Sequence, residues 1–306
     1  MRKVLVAGFM GLVALLGLVS GPVQAADRPI LGWGRLFTND FIGDGEDRWR
    51  SGSYTVSQVR GQSWDGTLPG FGEILEFRLR SEIIASANLS DPQPDDRRYA
   101  GVLGFGVQTH FALARAEASL GAELVVTGDK SGVGRFHSWA HGVIGAPKPG
   151  GLDDQISNGI HPALAAELGK TYHFSNNAAL RPFVEARAGD ETLVRVGADL
   201  SFGGFTSGSL MLRDGVTGQR YRAVRGDGAP GMSFLLGGDI AYVAASIYLR
   251  SSGVPMLSDS RTRLRAGVHW QAERYELFYG MTYLSKEFET QPEGQVLGSL
   301  SVRVKF

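Results

Sequence analysis

Residues 295–306 read QVLGSLSVRVKF and end the chain. From Leu300 the alternation is strict. Leu300, Val302, Val304 and Phe306 are apolar, while Ser299, Ser301, Arg303 and Lys305 are polar. A period of two sends successive side chains to opposite faces of a strand, so one face is apolar and the other polar. An apolar-out, polar-in strand that stops on an aromatic residue fits the closing strand of an outer-membrane β-barrel. It fits a half-buried strand of a soluble β protein equally well, and the rest of the chain must decide.

The opposite end bears on the compartment. Arg2 and Lys3 precede an apolar run from Val4 to Leu18, followed by Ser20-Gly21-Pro22 and Val23-Gln24-Ala25. A positive start, an apolar stretch and a small-x-small ending form a secretory signal, expected to occupy 1–25 and to leave a mature chain from Ala26. The chain has no cysteine, so it is not a small disulfide-stapled secreted fold. Beyond the signal no apolar stretch approaches the roughly 18 residues that a spanning helix needs. A net charge of zero argues against a nucleic-acid partner. The mean hydropathy of -0.07 suits a soluble protein, and also a barrel whose strands turn one face to a polar lumen.

Period-two patterning predicts twelve strands, at 30–38, 50–62, 72–86, 98–113, 115–128, 160–174, 179–189, 192–203, 232–250, 261–271, 273–286 and 295–306. In 72–86, Leu75, Phe77, Leu79 and Ile83 share one face, and Glu76, Arg78, Arg80 and Glu82 the other. In a soluble sandwich that charged row would face water. In a barrel it lines the lumen, where the charges pair. The expectation is an all-β, transmembrane, antiparallel up-and-down barrel over 26–306, about twelve strands around, with a short helix in an outer loop. Closure removes the sheet edges that lipid would not tolerate. Parity puts 39–49, 87–97, 129–159, 251–260 and 287–294 on the outer side. It puts the long Gly-rich segment 204–231 on the periplasmic side, where turns are usually short, which leaves room for an uncounted hairpin.

Two outer connections carry chemistry. Residues 38–52 place Asp40, Asp44, Glu46 and Asp47 among glycines, a loop able to bend oxygens around a hard cation such as Ca²⁺, or simply a solvated turn. Residues 129–159 are too long for an idle connection. A helix over 133–143 would set His137 and His141 on one face. Two histidines four apart invite a zinc reading, but there is no HExxH glutamate and no evident third ligand. One histidine as general base is the more economical chemistry. Two surface histidines on a loop helix is the plain alternative.

These segments resemble the outer-membrane lipid A 3-O-deacylase family. Its opening Asn-Asp pair, Asp-Arg pair and Tyr-Thr-x-Gly element have counterparts in Asn39-Asp40, Asp47-Arg48 and Arg50-Ser51-Gly52. Its Asp-Arg-Pro-Tyr-Ala-Gly motif appears as Asp96-Arg97-Arg98-Tyr99-Ala100-Gly101. Its His followed by Pro-x-Gly-Trp-Asp-x-Gln matches His141 and the segment from Pro149 to Gln155. Its C-terminal Glu-Phe and Gly-Gln features match Glu287-Phe288 and Gly294-Gln295. Arg98 stands for the Pro, Leu152 for the Trp and His137 for a Gln. Ser51 stands for the Thr, with Arg50 the alternative in a gapless register.

The resemblance implies Ca²⁺-dependent hydrolysis of an ester-linked (3′-O) acyl or acyloxyacyl chain of lipid A. His141 would be the general base and Asp40 a Ca²⁺ ligand. A backbone N–H near Gly52 would join the cation at the oxyanion, and Asn39 and Ser51 would orient the reacting groups. The partner would be lipopolysaccharide in the outer leaflet of the cell outer membrane, met by a monomer. Arg78 and Arg80 could reach lipid A phosphates, although lumenal pairing with Glu76 and Glu82 is the simpler expectation. The alternatives are an inactive barrel of the same family serving as a structural or binding protein, a passive porin, and a phospholipase. A porin would need a wide lumen. A phospholipase would normally need a Ser-His constellation, and only Ser138 beside His137 offers one.

Overall fold

A computed structural model describes residues 28–204, 206–226, 230–249 and 253–304. The signal segment 1–25, the start at Ala26 and the terminal Phe306 lie outside the described residues. The strands are β1 (Ile30–Asn39), β2 (Trp49–Arg60), β3 (Ile74–Ala85), β4 (Ala100–Leu113), β5 (Ala116–Thr127), β6 (Gly159–Gly169), β7 (Tyr172–Ser175) and β8 (Ala178–Ala188). They continue with β9 (Glu191–Phe202), β10 (Leu210–Arg213), β11 (Arg220–Val224), β12 (Gly231–Ser246), β13 (Ser260–Gln271), β14 (Tyr275–Leu284) and β15 (Gln295–Val304). The helix α1 (Val133–Ile144) lies in the connection between β5 and β6.

Neighbouring strands run antiparallel, β1 pairs with β15, and β6 pairs with β8, so the sheet closes into a twelve-strand barrel. β7 is a short extension that pairs only with β8. The expected strand 160–174 is therefore broken. After Gly169 the Lys170 N–H donates to the Pro182 carbonyl, and the ladder resumes over Tyr172–Ser175.

The faces are inverted relative to a soluble protein. Phe77, Leu79, Phe105, Leu124, Val196 and Leu264 are exposed, whereas Glu76, Glu82, Arg195, Asp199, Asp239 and Arg265 are buried. Apolar side chains turned outward in a belt suit lipid, and the buried charges survive because they are paired. Arg263 Nε lies 2.9 Å from Asp239 Oδ1, and Arg265 Nη2 lies 2.6 Å from Asp199 Oδ1. The row seen in 72–86 pairs inside the wall, with Arg78 on Glu76 at 2.6 Å and Arg80 on Glu82 at 3.0 Å.

Within the long segment 204–231, the described residues 206–226 add no strand to the wall. β10 and β11 pair only with each other, and the hairpin folds into the lumen. Leu210, Leu212, Tyr221, Ala223 and Val224 pack on Leu36, Val59, Ile74, Leu235 and Phe278 of the wall. Polar groups pin it as well. Arg213 Nη2 lies 2.7 Å from Asp199 Oδ2, and Gln219 Nε2 donates to the carbonyls of Ala266 and Met281 at 3.2 and 3.1 Å. A connection too long for a periplasmic turn is thus an internal plug.

Candidate active site

The long connections β1–β2, β3–β4, β5–β6 and β14–β15 gather at one end of the barrel. The first holds Asp40 and Asp47 at its two sides. Three backbone N–H groups, of Gly43, Asp44 and Gly45, donate to the Asp40 carbonyl at 2.7, 2.9 and 3.1 Å and curl the loop tightly. The Asp40 Oδ2 accepts the Arg48 N–H at 2.6 Å. Its Oδ1 is buried and has no hydrogen-bond partner. Burial is the main force pushing this carboxyl up to about 8, with Asp47 and Asp44 adding to the rise and the Arg48 N–H opposing it. A cation beside the bare oxygen would relieve that arrangement.

The entry to β2 is irregular. Trp49 has φ 50, and the β2–β3 register shifts between Trp49 and Gly52. The bulge sends Arg50 and Ser51 in different directions. Arg50 joins the ion cluster below the rim, pairing with Glu82, Glu191 and Glu287. The Ser51 hydroxyl donates a short hydrogen bond to Asp47 Oδ1. Ser51, not Arg50, is therefore the side chain turned to the site. Asn39 Nδ2 donates to the Ser51 carbonyl at 2.9 Å and its Oδ1 accepts the Phe41 N–H at 3.0 Å. Gly52 pairs across from Asn39, and a Cβ there would come within 3.2 Å of Asn39 Nδ2.

The helix brings the imidazoles. α1 is bounded by Gly132 at φ 74 and Gly145 at φ 73, both left-handed, as a glycine allows at a helix end. It lies on the rim because Gly134 carries no side chain: a Cβ there would meet Leu152 at 2.9 Å and the Tyr99 ring at 3.4 Å. His137 and His141 turn inward, while Phe136, Trp139, Val143 and Ile144 remain exposed. Phe136 and Trp139 lean on each other with ring centres 5.7 Å apart.

Hydrogen-bond logic assigns the ring nitrogens. His141 Nδ1 lies 2.5 Å from the Pro147 carbonyl, which can only accept, so Nδ1 carries the proton and Nε2 the lone pair. His137 Nε2 faces that lone pair at 2.9 Å, so it donates, and its Nδ1 accepts from the Tyr99 hydroxyl at 3.1 Å. Burial first, and His141 second, push His137 down to about 4 and keep it neutral. Burial likewise pushes the Tyr99 hydroxyl up, so it remains a donor. On the loop side, His141 Nε2 lies 3.4 Å from Asp47 Oδ2.

A continuous path therefore runs from Asn39 through Ser51 and Asp47 to His141. Among the described residues no hydrogen bond joins Asn39 or Asp40 directly to His141. In the sequence Asp47 is one of four acids in its loop and part of an Asp-Arg pair, and Tyr99 is one letter of a motif. The fold makes Asp47 the bridge between loop and helix, and Tyr99 the residue that sets the His137 tautomer. Asp47 is also the third donor that the zinc reading lacked, since one atom each of Asp47, His137 and His141 lies within 4.8 Å of the others.

Beneath this lies an ion cluster. Glu287 holds Arg97 by a short hydrogen bond, Arg50 at 3.0 Å and Arg261 at 3.1 Å, and Arg261 is shared with Glu191 at 2.8 Å. Burial pushes the Glu287 carboxyl up, but the three guanidiniums outweigh it and hold it well below the usual range.

The model of the family described as "Outer membrane protein LpxR" matches residues 12–306. The chain belongs to the LpxR family. LpxR proteins are outer-membrane proteins by that description, which agrees with the inverted faces of this barrel. LpxR from Salmonella typhimurium superposes with a TM-score of 0.74 at 18% identity, covering 90% of this chain and 100% of that one. The β domain of the Bordetella autotransporter BrkA aligns with a TM-score of 0.45 at 13% identity over 90% of this chain and 99% of its own. A COG4313 outer-membrane channel from Pseudomonas putida gives 0.43 at 14% over 94% and 100%. No curated protein sequence matches at a significant level.

Proposed function

We propose that this LpxR-family chain is a lipid A deacylase that acts as a single chain at the outer rim, hydrolysing an ester-linked (3′-O) acyl or acyloxyacyl chain. The observation that carries the reading is His141. Its Nδ1 is pinned by the Pro147 carbonyl and its Nε2 is turned to Asp47, on a helix whose other face is apolar and exposed.

In this reading His141 Nε2 takes a proton from water, whose oxygen attacks the ester carbonyl. For this the His137 Nε2–H yields the lone pair to water. Asp47, held by Ser51, faces the imidazolium as it forms, and the Pro147 carbonyl keeps the ring in place. The proton then passes to the departing sugar oxygen as the ester C–O bond breaks. The products are a free fatty acid and a sugar hydroxyl. The Gly52 N–H, backed by Asn39 across the ladder, is the proposed protein donor to the oxyanion. Phe136 and Trp139 sit where an acyl chain can remain in hydrocarbon while its ester reaches the rim.

Ca²⁺ is the proposed cofactor, and the bare, buried Asp40 Oδ1 is the observation that fits it. Bound there, the ion would supply positive charge to the developing oxyanion. The cleaved N-terminal signal is the proposed route to the membrane.

The second reading is an inactive member of the family, favoured by one observation: His137 sits on the lone pair that the base requires. A mass spectrum of lipid A from cells with and without the protein separates the two. Loss of one acyl or acyloxyacyl unit that requires His141 supports the enzyme. An unchanged spectrum with correctly inserted protein supports the inactive barrel.

A further inference from the structure

The nitrogen-rich corner of the site has a chemistry unlike that of Asp40. Calcium prefers six or more oxygens, whereas two imidazoles and one carboxylate suit a borderline ion such as zinc. We propose that His137 Nε2, His141 Nε2 and a carboxylate oxygen of Asp47 form a zinc-class site that, when loaded, shuts the deacylase off.

The three donors come from two elements. His137 and His141 share the inner face of α1, and Asp47 closes the loop before β2. The two Nε2 atoms are 2.9 Å apart and His141 Nε2 is 3.4 Å from Asp47 Oδ2. Metal bonds of roughly 2.0–2.2 Å in a tetrahedron hold donors roughly 3.4 Å apart, and the three donors here already lie within 4.8 Å of one another, so binding draws the helix and loop side chains together.

Each donor is also held from behind, as metal ligands usually are. The Pro147 carbonyl accepts the His141 Nδ1–H. The Tyr99 oxygen faces His137 Nδ1 at 3.1 Å and can accept its proton once Nε2 is coordinated. Ser51 holds the second oxygen of Asp47. Two lone pairs that now oppose each other across one proton would both face the ion. Three protein ligands leave a fourth position for water.

The consequence for activity rests on the proposed role of His141. Coordination uses the Nε2 lone pair that would take the proton from water, so zinc and base catalysis exclude each other. Calcium at Asp40 would not displace the zinc, because the two ions use different donors.

The test uses untagged, folded protein in detergent, with folding checked by the heat-dependent mobility of the barrel. Zn²⁺ is titrated against a chromophoric chelator, and Co²⁺ is followed by its visible spectrum. One ion per chain is expected, with a low-coordinate Co²⁺ spectrum that excess Zn²⁺ erases and excess Ca²⁺ does not. His137→Gln and Asp47→Asn should each weaken Zn²⁺ binding roughly tenfold or more, and Tyr99→Phe by less. Absence of a saturable Co²⁺ spectrum, or unchanged binding in folded His137→Gln, overturns the site. Deacylation is read separately. Zinc bound without loss of an otherwise present activity overturns the regulatory half. Zinc bound by a protein that never deacylates sinks the enzymatic reading and leaves the metal site standing.

Discussion

His141 Nε2 and Asp47 Oδ2 lie 3.4 Å apart, across the gap between a helix in one outer connection and the turn of another. No helix cap or strand ladder joins the two residues. They meet because the barrel closes, so the pair is a property of the fold rather than of either loop.

That pair should matter to turnover. Removing the imidazole in His141→Ala is expected to lower deacylation by roughly 10²- to 10⁴-fold, the usual range for a positioned base. Asp47→Asn retains the shape but not the charge, and should cost roughly tenfold or more, mostly in kcat. Ser51→Ala should cost less, because Asp47 keeps its place in the loop. Mass spectrometry of lipid A with each variant at equal membrane abundance checks the order. A fully active His141→Ala would remove the proposed base.

Calcium dependence should reside in Asp40. Chelation with a calcium-selective agent is expected to abolish deacylation and added Ca²⁺ to restore it. In Asp40→Asn the restoring concentration should rise by roughly tenfold or more, since a hard cation loses a charged oxygen. Activity that survives chelation in the wild type would exclude the ion from the reaction.

The cluster around Glu287 should dominate acid sensitivity. Its carboxyl is held below its ordinary value by Arg261, Arg50 and Arg97, against burial and the like charge of Glu191. An acid with a lowered folded value binds fewer protons when folded. It therefore contributes stability above its ordinary value of 4.5 and loses that contribution as pH falls below it. Glu287→Gln leaves Arg97 with no carboxylate partner among the described residues and should destabilise the barrel by about 3–5 kcal/mol at pH 7. The difference from wild type should shrink at low pH. Denaturant midpoints in detergent at pH 7 and pH 4 measure both effects.

The inward hairpin should keep the lumen shut. The intact protein is expected to give no steady conductance in planar bilayers. Deletion of 206–226 should open a measurable one, and should lower stability by exposing the partners of Arg213 and Arg222. Steady conductance from the intact chain would restore the porin reading.

The wall was legible because its strands have one lipid face and one lumenal face, which writes a period of two into β3, β9 and β13. The helix was legible to within a residue, since glycines bound it and two histidines mark its inner face. The hairpin was legible only as excess length in 204–231, and neither its strands nor its place in the lumen could be read. Leu210, Met211 and Leu212 are all buried, as are Tyr221, Arg222, Ala223 and Val224, so an element enclosed on every side has no alternation to display. In the site, Asp47 was indistinguishable from the other acids of its loop until the fold set it against His141. A gapless register pointed to Arg50 instead of Ser51, because only the backbone shows the bulge that follows Trp49.

The stopper formed by β10 and β11 separates two demands on an outer-membrane barrel that carries its candidate site at one mouth. A cylinder in the outer membrane is a potential leak, and in this one a hairpin of its own chain occupies the lumen. Residues of the mouth can then change without disturbing the packing that holds the hairpin, because the two draw on different parts of the chain.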